Sequence, residues 1–224
     1  MGIKVLFIGN SYTYFNDMPT AYFEKLALAA GISVSVTTVT KGGWTLEKHA
    51  DPSDVCGAQV EVLLRENRYD YVILQEQSYR PVVKPELFAS SVRTLVEKAL
   101  KNGAKPLLYA TWGRAEGCLL LDEVSMTNAS MTESLATAYE NIGRELGIPV
   151  AHVGRAFYEA KALHPNLELY NADLSHPSAA GSYLAALTLF ARLFGDPGAV
   201  PFVPEGMGDA EDSALKRAAK NAVK

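Results

Sequence analysis

The sequence predicts an α/β fold, a three-layer α/β/α sandwich of flavodoxin-like type with a mainly parallel five-stranded sheet. Strand-like apolar runs and helical patterns alternate five times along the 224 residues. The connections are too long for hairpins, so the strands should run parallel with helices on both faces. No Pro/Gly/Ser-rich linker divides the chain, and its hydrophobic content is 48%. We therefore expect a single domain over 1–224, with its core at about 3–195.

Short apolar or alternating runs predict the strands, at 3–8, 32–39, 69–74, 106–110 and 149–153. Helical spacing predicts the helices, at 18–30, 55–67, 86–102, 130–146, 154–163 and 178–194. Several of these helices are followed by a glycine, the residue that most readily closes a helix. Residues 111–127 form a long insertion of the kind found in lids and binding loops. The segment 196–224 is expected to be a peripheral extension with a charged helix from 209 onward.

Composition excludes several classes of function. The net charge is -4 and the basic residues are scattered, which is unlike a nucleic-acid-binding surface. No stretch approaches the ~18 apolar residues of a transmembrane helix, and no signal peptide precedes the first strand, so we expect a cytoplasmic protein. The two cysteines, Cys56 and Cys118, are too few for a disulfide framework or a zinc site and are expected to be free thiols.

The first candidate functional residue is Ser11, which follows the first strand in Gly9-Asn10-Ser11. A strand-to-helix turn at the carboxyl edge of a parallel sheet is where open α/β folds bind ligands. There the serine hydroxyl can point into the crevice, and the N–H groups of the turn can face an anion. The alternative is that Ser11 merely caps the following helix.

Polar or glycine-rich segments also follow the second and third strands. Gly42-Gly43 permits a positive φ or a close approach of backbone to a ligand, although it could equally be a flexible turn. Gln75-Glu76-Gln77-Ser78 gathers polar side chains after the third strand. Because the carboxyl ends of parallel strands share one edge of the sheet, both segments should lie near Ser11.

Asp173 and His176 lie close together in a loop near the end of the chain. In such a turn the carboxylate can accept the imidazole Nδ1–H and leave Nε2 free to face the sheet edge. The alternative is a helix N-cap motif, with Ser175 or Asp173 as the cap and Pro177 in the first turn. Together with Ser11, however, the pair completes a set of nucleophile, base and orienting acid.

Two sequence blocks resemble those of the SGNH, or GDSL-like, hydrolases. The segment 7–13 (FIGNSYT) is similar to the family's first block, and 173–177 (DLSHP) is similar to its last block, Asp-x-x-His-Pro. The resemblance covers about residues 3–195 and implies the SGNH hydrolase fold. It implies a serine esterase in which Ser11 is the nucleophile, His176 the general base and Asp173 its partner. The substrate would be a carboxylic ester, such as a short acyl, sugar O-acetyl or lipid ester, and no metal or organic cofactor would be needed.

The resemblance also implies an oxyanion hole. The N–H of Ser11 would be one donor, and the N–H of Gly43, with Gly42 as fallback, would be another. The third block departs from the family pattern, because neither the glycine nor the asparagine of Gly-x-Asn-Asp is present in 74–80 (LQEQSYR). A glutamine amide offers the same N–H donor on a longer stem, so Gln77, with Gln75 as fallback, is the expected third donor.

Several aromatic residues lie near the predicted strand ends and could form a wall for a sugar or an acyl chain; these are Tyr12, Trp44, Tyr79 and Trp112. The alternative is that they are core residues. The remaining histidines are assigned no catalytic role, because His49 and His164 are expected in peripheral segments and His152 in a strand. The functional alternatives are a non-catalytic module that binds phosphate or flavin, as in flavodoxins, and an inactive SGNH relative with an altered third block.

Overall fold

The computed structural model describes residues 2–223 and contains the predicted parallel sheet. Its strands are β1 (Ile3–Gly9), β2 (Val34–Thr40), β3 (Tyr71–Leu74), β4 (Lys105–Ala110) and β5 (Val150–His152). They are all parallel and lie in the order β2-β1-β3-β4-β5. The chain moves outward from β1 to β2 and then returns to the other side of β1. The switch point of this topology therefore lies at the carboxyl end of β1.

The alternation of side chains along β1 divides the core into two layers. Val5 and Phe7 face one layer, which the helical segment at 18–29 and the helices after β5 cover. Leu6 and Ile8 face the other layer, which contains residues from the helices between β2 and β5. Because successive side chains of a strand point to opposite faces, the apolar run of β1 requires helices on both sides.

The predicted helices are present, and short helices also form in segments for which none was predicted, including one inside the insertion at 111–127. The helices are α1 (Ser11–Tyr14), α2 (Lys25–Ala29), α3 (Leu46–Ala50), α4 (Val55–Glu66), α5 (Arg80–Val83), α6 (Pro85–Asn102), α7 (Leu119–Glu123), α8 (Asn128–Leu146), α9 (Val153–Leu163), α10 (Ala179–Phe194) and α11 (Asp209–Asn221). A 3-10 turn (Phe15–Asp17) and a π-helical segment (Met18–Glu24) connect α1 to α2. The helix predicted at 18–30 is present at 18–29 with a π-helical first part, and it is separate from α1 because Asn16 and Asp17 have φ of 53° and 52°.

The C-terminal extension is more than a peripheral tail. Leu215, Ala218 and Ala219 of α11 are fully buried in the same core layer as α9 and α10. Their spacing places them on one face of the helix, and the two alanines allow a close approach to its neighbours. Lys216 donates to the carbonyl of Val200 and pairs with Asp212, which satisfies the polar groups beside this face.

No helix within residues 2–223 is both long enough and apolar enough to cross a membrane. Cys56 and Cys118 are free thiols, as expected from their number.

Candidate active site

The first site element is the turn after β1, which the side chain of Gln75 holds in place. Asn10 caps α1, since its Oδ1 accepts the N–H of Tyr12 at 3.1 Å. The alternative in which Ser11 is the cap is therefore wrong, and its hydroxyl is available for other contacts. Oε1 of Gln75 accepts from the N–H of Asn10 at 3.0 Å and from the hydroxyl of Thr13 at 2.8 Å. A Cβ at Gly9 would lie 2.6 Å from that same oxygen, so this close approach requires glycine.

The loop before α10 brings Asp173 and His176 together. Oδ1 of Asp173 accepts the N–H groups of Ser175 and His176 at 3.0 and 2.9 Å, which folds the loop into a tight turn. Oδ2 of the same carboxylate lies 2.5 Å from Nδ1 of His176. Ser178 caps α10, so the alternatives that assign this cap to Ser175 or Asp173 are wrong.

A hydrogen bond connects this loop to the first turn. Nε2 of His176 lies 2.8 Å from Oγ of Ser11, although the two residues are 165 positions apart in the sequence. Because the Asp173 carboxylate accepts the Nδ1–H of His176, the proton of the imidazole stays on Nδ1. Nε2 can therefore accept the proton of the serine hydroxyl. The His176 ring is also fixed by Phe15, which stacks on it at 4.3 Å between centroids, a contact without a sequence signal.

The hydrogen bonds around Asp173 lower the pKa of its carboxyl group. Desolvation, the largest contribution, raises that pKa, but the bonds from the His176 ring and from the N–H groups of His176 and Ser175 outweigh it. The group is therefore a carboxylate at neutral pH and suits the stabilisation of an imidazolium.

A small cavity of about 170 Å³ opens beside the serine and histidine. Its lining includes the three residues from which the predicted oxyanion donors come, Ser11, Gly43 and Gln77. Gly43 has a φ of +70°, so a side chain at this position of the turn after β2 would be strained. Gly42 is not among the lining residues.

Gln75 does not face this cavity, so its prediction as the fallback oxyanion donor is wrong. The side chain is buried, its oxygen accepts from Asn10 and Thr13, and its Nε2 donates to the carbonyl of Glu76. The residue directly follows β3, where its side chain is close enough to the turn after β1 to tie the two strand ends together.

The predicted aromatic wall consists largely of core residues. Trp112 is fully buried and stacks between Tyr12 and Phe157 at centroid distances of 4.7 and 4.3 Å. Its Nε1 donates to the carbonyl of Ser175 at 3.0 Å, so it supports the loop of His176 from below. Tyr12 lines the cavity but is only 4% exposed, and its hydroxyl bonds to Oγ of Ser175 at 2.8 Å.

The other two aromatic residues lie away from the cavity lining. Trp44 donates from Nε1 to Asp54 at 2.9 Å, and the ammonium groups of Lys41 and Lys48 lie over its ring. Tyr79 packs against a small apolar cluster beneath the insertion loop. The assignment of Trp112 to a substrate wall is therefore wrong because its side chain is fully buried, whereas that of Trp44, which is half-buried, stays a prediction.

The prediction that His49 is peripheral is also wrong. Its side chain is fully buried in α3, and Nε2 lies 2.8 Å from the carbonyl oxygen of Gly9, which requires a proton on that nitrogen. Burial lowers the pKa of His49, so the ring is neutral and acts as a donor at the end of β1. No local sequence pattern predicts this contact, because the partner is a backbone atom of a distant strand.

A serine, a histidine and an acid in contact at the switch point of a parallel sheet form the arrangement that serine hydrolases use. A solved structure from Slackia heliotrinireducens, described as "a putative SGNH hydrolase", is 35% identical, covers 84% of this chain and 97% of its own, and has a TM-score of 0.73. This chain belongs to the SGNH hydrolase family and is therefore a hydrolase.

More distant solved structures share the fold. A DUF4886 family protein from Bacteroides uniformis is 23% identical, covers 100% of this chain and 95% of its own, and has a TM-score of 0.85. An acetylxylan esterase from Geobacillus stearothermophilus is 18% identical, covers 84% of this chain and 93% of its own, and has a TM-score of 0.61. No protein-family model matches the sequence, and no curated protein matches it.

Proposed function

We propose that this protein is a serine esterase that removes a short acyl group from a carboxylic ester. The observation that carries the proposal is the unbroken series of contacts from Asp173 through His176 to Ser11, at 2.5 and 2.8 Å, beside a cavity. The alternative of a flavin-binding module gives the contact between Asp173 and His176 no function.

The reaction is acyl transfer in two steps. Nε2 of His176 takes the proton of Ser11 as Oγ attacks the ester carbonyl, and the same proton then passes to the leaving alkoxide, which departs as the alcohol. Water next attacks the acyl-serine while His176 takes its proton, and that proton returns to Oγ as the acid leaves. Asp173 stabilises the imidazolium in both steps without taking its proton.

The oxyanion of each tetrahedral intermediate would be bound by the N–H groups of Ser11 and Gly43 and by the amide of Gln77. Support comes from their common position on the lining of one cavity and from the positive φ of Gly43. Donors held in place before the reaction stabilise the developing charge without reorganisation.

The size of the cavity favours a short acyl group. Pockets for whole small molecules have volumes of roughly 300–1,000 Å³, whereas the volume here is about 170 Å³. An acetyl ester of a small alcohol or of a sugar is therefore the preferred substrate class. Acetylxylan hydrolysis by one of the fold neighbours is consistent with a sugar ester.

A fluorophosphonate probe tests the nucleophile. Wild type should gain one adduct by intact mass, Ser11→Ala should gain none, and Ser90→Ala, which changes an exposed serine on α6, should react like wild type. An adduct that persists in Ser11→Ala would reject the proposed nucleophile.

Turnover tests the other two members of the triad. With an acetyl ester, Ser11→Ala and His176→Ala should each lose several orders of magnitude in kcat, and the double variant should lose no more than either single one. Asp173→Asn should keep its fold but lose most turnover, because an amide no longer favours the proton on Nδ1. Additive losses would show that the residues do not act as a unit.

A further inference from the structure

Arg114 brings a positive charge to the cavity that contains Ser11 and His176. Its segment follows β4 and is held firmly, since Nδ2 of Asn128 donates to the carbonyl of Arg114 at 2.8 Å. The next residue, Ala115, donates its N–H to the carbonyl of Leu174 at 2.9 Å, in the loop that carries Asp173 and His176. The backbone of Arg114 therefore has a fixed position relative to the reacting groups.

The guanidinium group is held in place by neutral partners. Nη2 donates to Oγ of Ser78 at 2.8 Å, and Cζ lies 5.7 Å from the centroid of the Tyr12 ring. Nε is buried and has no acceptor among residues 2–223. The protein thus orients the guanidinium N–H groups, while Nε of Arg114 has no hydrogen-bond partner among these residues.

Arg114 has no counter-charge in the part of the chain that the structure describes, where no carboxylate forms an ion pair with it. Other arginines differ, because Arg93 pairs with Glu145, and Arg155 pairs with both Glu133 and Glu140. A partly buried charge without a partner is unfavourable, so its retention in this cavity points to a partner that arrives with the ligand.

The chemistry of the cavity favours a carboxylate as that partner. Arginine presents parallel N–H donors that match the two oxygens of a carboxylate. Among residues 2–223, Arg114 is the only arginine or lysine on the cavity lining. Its single charge matches the single charge of a carboxylate better than a phosphate dianion, since His176 must be neutral to act as the base.

We propose that Arg114 is a substrate-binding residue that selects esters carrying a carboxylate close to the scissile bond. The proposal rests on the proposed esterase function. It narrows the substrate class from small acetyl esters in general to O-acetylated acids, such as acetylated hydroxy acids or acidic sugars. Ser78 is a positioning residue in this scheme, because it orients the guanidinium group.

Matched pairs of esters test the proposal in the wild-type protein. The substrates are 2-, 3- and 4-acetoxybenzoate, each compared with the neutral acetoxybenzamide of the same geometry, and the deacetylated phenol is quantified by chromatography. At least one carboxylate should be preferred over its amide in kcat/KM by roughly ten- to hundredfold, the range expected for a charge-assisted hydrogen bond. No preference for any of the three carboxylates would overturn the proposal.

Variants of Arg114 test where the preference originates. Arg114→Gln should abolish it, and Arg114→Lys should restore only part of it, because an ammonium lacks the planar fork. The preference is a ratio within one protein, so a general loss of turnover does not obscure it. Arg93→Gln makes the same change of net charge on the surface and should keep the wild-type ratio. A preference that survives in Arg114→Gln would overturn the proposal.

A binding measurement separates this proposal from the esterase function. Calorimetric titration with 3-hydroxybenzoate should show binding to wild type and weaker binding, by about tenfold or more, to Arg114→Gln. Carboxylate binding that depends on Arg114 in a protein with no esterase activity would refute the function and keep the carboxylate site. Equal hydrolysis of carboxylates and amides would refute the site and keep the function.

Discussion

Glu76 should make the protein less stable as the pH rises from 5 to 8, and Glu76→Gln should remove that dependence. The residue follows Gln75 after β3 and is fully buried. Its Oε1 accepts the N–H of Gln77 at 2.6 Å and the N–H of Leu46 at 3.1 Å. Its Oε2 is buried without a partner among the described residues. The carboxyl group therefore joins the loop of Gln77 to the start of α3 with only one of its two oxygens.

Burial raises the pKa of Glu76 to about 7, although the hydrogen bonds from Gln77 and Leu46 and the charge of Arg80 lower it. In the unfolded chain the pKa of a glutamate is about 4.3. Between these two values the folded state holds a proton that the unfolded state has lost, so rising pH favours unfolding. A difference of more than two pKa units corresponds to a loss of about 3 kcal/mol in the free energy of unfolding, and this loss is complete above pH ~7.

Urea unfolding at pH 5, 6, 7 and 8 measures this contribution. Glutamine preserves the shape of the side chain and one acceptor oxygen but cannot ionise. The stability of Glu76→Gln relative to wild type should therefore increase by about 2–3 kcal/mol from pH 5 to pH 8. Glu205→Gln, which changes an exposed glutamate, is the matched control and should follow the wild-type curve. A difference between Glu76→Gln and wild type that is constant over this range would refute the reasoning.

Alanine substitution of the two glutamines after β3, Gln75 and Gln77, should have different effects on stability and turnover. Gln75→Ala should lower the melting temperature and turnover together, since it leaves buried groups of Asn10 and Thr13 without an acceptor, at ~1–3 kcal/mol each. Gln77→Ala should lower turnover by an amount equivalent to about 3 kcal/mol of barrier with little change in melting temperature, and near-normal turnover would exclude it as an oxyanion donor. Trp112→Ala should lower the free energy of unfolding by ~3–5 kcal/mol in urea, and a loss below ~1 kcal/mol would contradict its role as a buried support.

Local sequence patterns determined the elements of this protein. The apolar run before Gly9 and the alternation before Thr40 predicted β1 and β2, because the period of side chains along a strand is a local property. The turn of Asp173 and His176 is also local, since the two residues are three positions apart and one carboxylate bonds to nearby N–H groups. A motif of this kind can be recognised from the sequence before the fold is known.

Tertiary structure decided which side chains face the cavity and which are buried beneath it. The contact between Ser11 and His176 joins residues 165 positions apart, and it exists because strand order places their loops at one edge of the sheet. Sequence periodicity does not distinguish an aromatic side chain that lines a cavity from one that is buried beneath it. For this reason the sequence predicts that Trp112 binds substrate, whereas the residue lies in the core.

The same limit applies to polar residues. His49 is a buried donor to Gly9, and Arg114 lines the cavity without a counter-charge among the described residues, although neither sequence neighbourhood indicates it. The burial and the hydrogen-bond or ionic partners of a side chain depend on atoms from distant segments of the chain. A local sequence pattern contains no information about those segments. The elements therefore follow from the sequence, whereas the chemical surroundings of each functional side chain follow from the packing of the sheet and its helices.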